Sequence, residues 1–111
     1  MGVTNPTSTI ISDKEHETFS KCNNNTVNLL TNIATNVVDE NPNRIYALFQ
    51  NNSKFDITLI LGDSKGSGLE KGIVLYARGG CFQIDTTNLY IGKVSAISAN
   101  NCKLSFVECV E

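Results

Sequence analysis

The residue types that could do chemistry are few in this chain. Gly62-Asp63-Ser64-Lys65-Gly66 fits G-x-S-x-G, the turn that presents a serine nucleophile between a strand and a helix. Gly66-Ser67-Gly68 follows, which does not nucleate a helix, and the single histidine, His16, precedes Ser64, the wrong order for that fold. The same stretch fits neither glycine-rich phosphate-loop pattern. His16 with Glu15, Glu17 and Cys22 offers ligand types for a metal, but without the spacing of a zinc site. One histidine and no paired carboxylates on a common strand face leave little for acid–base catalysis. The sequence therefore predicts no enzyme, no metal and no cofactor.

Cys22, Cys81, Cys102 and Cys109 form no C-x-x-C pair, against zinc ribbons and thioredoxin-like chemistry. Cys81, Cys102 and Cys109 lie among strand-forming residues, where free thiols behave as small buried hydrophobes. Disulfides require an oxidising destination, and three pairings of four cysteines stay open. Asn24-Asn25-Thr26 and Asn51-Asn52-Ser53 match the glycosylation acceptor, a match that so asparagine-rich a chain produces by chance.

The elements that must position these residues are strands. At 111 residues the chain has the size of one domain and can bury a core without staples. Only 18% of residues are charged and the net charge is -2; polarity comes instead from 14 Asn, 10 Thr and 9 Ser. That balance excludes a basic nucleic-acid binder. No apolar run approaches the roughly 20 residues of a membrane helix, and Met1–Pro6 has neither the basic nor the apolar region of a signal peptide. Synthesis in a cytosol and no membrane partner are the expectations.

Residues 1–25 hold Pro6, scattered hydroxyls, the charged run Asp13–Glu17 and Asn23-Asn24-Asn25, with Ile10, Ile11 and Phe19 as the few apolar anchors. They read as an extended arm that orders against a partner, or as a disordered tail. Residues 26–111 read as the folded domain. Val27 and Leu29 alternate with polar residues, and Thr35–Val38 resumes after Asn32. Asn41-Pro42-Asn43 is a turn. Arg44–Gln50 is apolar on both faces, as a central strand must be. Phe55, Ile57, Leu59 and Leu61 share a face at period two. Gly62–Gly72, with four glycines, is a surface loop. Ile73–Ala77, Cys81–Asp85, a strand opened by Tyr90, Gly92, Val94 and Ala96, and Cys102–Val110 complete the set. In the last, Cys102, Leu104 and Phe106 share one face while Val107 and Cys109 lie on the other, which predicts a bulge or a covered face. Seven or eight short strands without an amphipathic helix predict an all-β antiparallel β-sandwich or jelly-roll-like barrel.

Several of these features occur together: Asn41-x-x-Arg44, Gln50-Asn51-Asn52-Ser53, Gly62, Lys71-Gly72-Ile73-Val74-Leu75 before Gly79-Gly80, and Tyr90-x-Gly92-x-Val94-x-Ala96-Ile97. With them Asn41–Glu108, about two thirds of the chain, resembles small virion structural proteins of tailed bacteriophages. The resemblance implies a capsid decoration (cement) protein on the virion surface, made in the host cytoplasm. It would be a homotrimer bound to the major capsid protein through burial of surface and strand addition. Ile10, Ile11, Phe19 and Arg44 are the candidate interface residues; Arg44 could instead pair with Asp56 or Asp85. A tail, baseplate, adaptor or fibre component is the first rival. A glycan-binding sandwich presenting Tyr46, Tyr76 or Tyr90 is the second, weakened by the absence of tryptophan.

Overall fold

The computed structural model describes residues 20–62 and 68–111, and among them every element is a strand. In chain order these are β1 (Lys21–Leu29), β2 (Thr35–Val38), β3 (Arg44–Asn51), β4 (Ile57–Leu61), β5 (Ile73–Leu75), β6 (Gly80–Ile84), β7 (Val94–Ile97) and β8 (Cys102–Val110). Two antiparallel four-stranded sheets face each other, sheet A in the order β1-β8-β3-β6 and sheet B in the order β2-β7-β4-β5. The hydrogen-bonded pairs β1·β8, β2·β7, β3·β6 and β4·β5 are nested one inside the next. A single long antiparallel ribbon, turned at β4–β5 and rolled up, gives this order, which is that of an eight-stranded jelly roll.

The core lies where the inner faces meet. Sheet A contributes Leu29, Ala47, Phe49, Ile84, Leu104 and Phe106; sheet B contributes Val37, Val38, Ile57, Leu59, Leu75, Val94 and Ala96, and all are buried. Period-two alternation places these side chains. The exception is β2, where a register shift between Asn36 and Val38 turns both valines inward. Phe49 and Phe106, paired across β3 and β8, stack with ring centroids 6.5 Å apart.

β3 is central, as its two apolar faces predict, with β8 on one side and β6 on the other. Other expectations need correction. Lys21–Asn25, assigned to the arm, are the first residues of β1, each opposite a residue of β8 without a break in register. The main-chain ladder of β8 imposes strand on a run of asparagines that would not choose it alone. Tyr90 and Gly92 precede β7, in a loop whose carbonyls serve another purpose described below. Phe55 lies before β4 and Leu61 at its end, both more than a third exposed, so only Ile57 and Leu59 of that series reach the core. The face switch in β8 needs no bulge there. Cys109 sits on the outer face against Cys22, and the irregularity falls instead in β3, between Arg44 and Tyr46.

The loops at one end are tied to one another. Thr31 Oγ1 donates to Asn101 Oδ1 at 2.9 Å, Ser98 Oγ to the Asp56 carbonyl at 2.9 Å, and the Ala77 amide to Asp56 Oδ1 at 2.9 Å. Asn51, fully buried at the end of β3, holds the β3–β4 turn. Its amide nitrogen donates to the carbonyls of Phe55 at 2.7 Å and Leu75 at 2.8 Å, and its oxygen accepts from the Ser53 amide at 2.9 Å and hydroxyl at 2.7 Å. Every hydrogen-bonding position of the side chain is used. Asn51→Ala takes the side-chain partner from the Leu75 carbonyl and the Ser53 amide, while the Phe55 carbonyl keeps the Ser53 hydroxyl as a donor at 2.9 Å. It should lower unfolding stability by about 2–3 kcal/mol. Asn51→Asp, which keeps the oxygens and loses the donors, should recover little of it; urea unfolding of the two variants measures both. Gly72 packs its backbone on the Leu59 carbonyl, where any Cβ would collide. That contact, with the Glu70 amide donating to Thr58 Oγ1 at 3.0 Å, ties residues 70–72 to β4.

Candidate functional surface

Among the described residues, the reactive side chains are brought into no catalytic arrangement. Ser64 lies outside the described residues, as does His16. Cys22, the third partner in the metal reading, is disulfide-bonded to Cys109 and is not a thiolate. No cluster of three or more His, Cys, Asp or Glu side chains suited to a metal occurs among the described residues. The buried-thiol expectation is corrected with it: Cys109 is buried as a disulfide, Cys81 is exposed and Cys102 half-buried. Asp85 is held below its usual carboxylate range, chiefly by the Thr87 hydroxyl and amide and then by Gln83. It is half-buried and caps a turn.

Arg44 is not an interface residue. Its side chain is buried, and its bonds stay within the chain. Nε donates to Glu108 Oε2 at 2.8 Å, Nη1 to the carbonyls of Tyr90 at 2.8 Å and Gly92 at 2.9 Å, and Nη2 to the Asp39 carbonyl at 2.7 Å. The carboxylate partner is Glu108, neither Asp56 nor Asp85. The β3 irregularity beside Ile45 brings Arg44 into line with Val110, on the same side of the sheet as Glu108, and the planar guanidinium then spans three chain segments at once. Ile10, Ile11 and Phe19, the other interface candidates, lie outside the described residues.

The three tyrosines do not form one platform. Tyr46 is on the outer face of sheet A, with its hydroxyl 3.4 Å from Gln83 Oε1. Tyr90 packs on Gly92 and donates to the Lys93 carbonyl at 3.0 Å. Tyr76 projects from the β5–β6 loop, 68% exposed.

Two surfaces stand out instead. The first is the hydrogen-bonded loop end, where Leu30, Ile33, Phe55 and Tyr76 are exposed. Phe55 and Tyr76, with Leu69, Val74 and Ala99, line a groove of about 520 Å³ there. The second is the outer face of sheet A. Alternation turns Cys22, Asn24, Thr26 and Asn28 of β1 outward, and with them Tyr46, Leu48 and Gln50 of β3. Gln83 and Cys81 of β6 continue the face, and Ser105, Val107, Cys109 and Lys103 of β8 complete it. Lys103 is the one charge among these strand residues, and Asp85, just past β6 and accepting from the Gln83 amide at 3.0 Å, borders the face. A shallow groove of about 400 Å³ crosses its middle, floored by Leu48 and Val107 and edged by Asn24, Thr26, Gln50 and Ser105. Sequence reasoning located the polar residues but not this sorting, because the sorting depends on which strands are neighbours.

No family model matches the chain, and neither a curated protein nor a solved structure does. Among the described residues no helix is long and apolar enough to cross a membrane.

Proposed function

We propose that the chain is a capsid decoration protein of a tailed bacteriophage, a β module that binds the assembled shell and strengthens it by covering surface. The observation that carries this reading is the outer face of sheet A. Four strands present amides, hydroxyls and short apolar side chains with a single lysine. A neutral face of this kind exchanges water for neutral hydrogen bonds and avoids the cost of desolvating charge, which suits burial against a protein lattice. The cross-tied loop end adds rigidity, so little conformational freedom is lost on docking. β1 begins at the end of the barrel opposite those loops, so an arm built from the residues before it would engage a different part of the shell from the loop end.

The test is the copy number of the chain in purified particles, with an image of its position. A number near that of the major capsid protein, spread over the shell, supports the reading; a few copies at one vertex would move the chain to the tail. Deletion of residues 2–19, which leaves β1 whole, is expected to weaken shell binding about tenfold or more, since each copy would lose one of two attachments. Full occupancy after that deletion would remove the arm from the mechanism.

A further inference from the structure

β1 is the outer strand of sheet A and is bonded only to β8. The direction of its peptide groups can be read from one distance. Cys22 and Cys109 stand opposite each other with Cα atoms 4.0 Å apart, the narrow spacing of a pair that exchanges no main-chain hydrogen bonds. By alternation Asn24, Thr26 and Asn28 belong to the same class, so their N–H and C=O groups point away from β8. The Thr26 amide agrees: it takes Asn25 Oδ1 at 2.8 Å as its acceptor.

Exposed edges are normally blunted by shortness, bulges, proline or charge. The other three edge strands follow that rule. β2 has four residues and a register shift, β5 has three residues, and β6 has five and begins at a glycine. β1 has nine residues, no register shift, no proline or glycine, and no charge after Lys21. Lys21–Thr26 are all exposed.

We propose that β1 is the contact between two copies of this chain, paired antiparallel edge to edge about a twofold axis at Asn25. That register alone uses all four outward-directed residues. Asn24 faces the partner's Thr26, and Cys22 faces the partner's Asn28, each pair exchanging two hydrogen bonds. Lys21 falls opposite the partner's Leu29, so no like charges meet. The two sheets become one, and their neutral outer faces run on without interruption, which is why a second copy fits this edge better than an unrelated strand. The contact goes beyond the decoration reading and does not depend on it. Its symmetry also differs from that of the trimer the resemblance implies.

The experiment uses the purified full chain. Sedimentation should show a dimer in equilibrium with monomer. Asn24→Pro removes an N–H that faces the free edge and none that β8 uses, a position where an edge strand tolerates proline. It should keep the melting midpoint within a few degrees and abolish the dimer. In a Cys81→Ser, Cys102→Ser background, Asn25→Cys places a thiol on the axis, on the opposite face from the Cys22–Cys109 disulfide. It should form a covalent dimer under oxidised glutathione at least ten times faster than Asn24→Cys. A monomer at every concentration, a trimer, or an oligomer that survives Asn24→Pro would overturn the proposal. Should Asn24→Pro fail to fold, equal cross-linking rates at the two positions would overturn it.

Discussion

Arg44→Met should lower the unfolding free energy by about 3–5 kcal/mol, the range for breaking a buried, hydrogen-bonded ion pair from one side. The loss is large because one guanidinium closes the end of the barrel. Its removal leaves the carbonyls of Asp39, Tyr90 and Gly92 without donors and the Glu108 carboxylate without its counter-charge. Glu108 is 15% exposed and can regain some water; the carbonyls lie where Arg44 is 1% exposed. Arg44→Lys keeps the charge but not the planar fork, and should recover less than half of the loss. Glu108→Gln keeps an acceptor for Nε and should cost less than Arg44→Met. The measurement is urea unfolding of the three variants at equal slope. A change under about 1 kcal/mol for Arg44→Met would show that the cluster relaxes or hydrates easily.

The Cys22–Cys109 disulfide should matter almost as much. It joins positions 87 residues apart, and a cross-link over so long a loop removes much of the freedom of the unfolded chain. Its loss should cost about 2–5 kcal/mol, toward the upper end on the chain-entropy account. Cys22 is exposed, so Cys22→Ser removes the cross-link with little loss of packing. Reduction by a dithiol and Cys22→Ser should therefore shift the unfolding midpoint equally. Before reduction an alkylating agent should label Cys81 and Cys102 alone, Cys81 the faster because it is exposed. Equal midpoints with and without reductant, or labelling of all four cysteines in the untreated protein, would count against the bond.

Much of this fold was legible in the sequence, and the misses have a common cause. Short-range patterns gave the strands: Thr35–Val38 is β2 to the residue, and the doubly apolar Arg44–Gln50 run is the centre of sheet A. What failed depends on partners far away in the chain. Asn23-Asn24-Asn25 has no strand preference and becomes strand because β8 offers it a ladder. Tyr90 and Gly92 look like the opening of a strand, yet their carbonyls are bonded to a guanidinium 46 and 48 residues away. From its position Arg44 reads equally as half of a charge pair with Asp56 or Asp85 and as an interface residue, and with 11 acidic residues to choose from no local signal marks Glu108. The candidate surface was less legible still. Composition announced an excess of amides and hydroxyls; only the order of the strands gathers them on one face with a single lysine.

The nested pairing has a consequence for how the molecule comes into being. β4 and β5 can meet while both are still local, but each further pair spans a longer stretch of chain, ending with β1 and β8. β8 is also an interior strand of sheet A, between β1 and β3. During synthesis β1 and β3 must therefore wait, unpaired with their main neighbour, until residues 102–110 have emerged from the ribosome. So many distant contacts place folding on the millisecond-to-second scale. The disulfide can close only at the last step, when β1 is laid beside β8. Oxidation is then a seal on a finished barrel rather than a guide to its assembly.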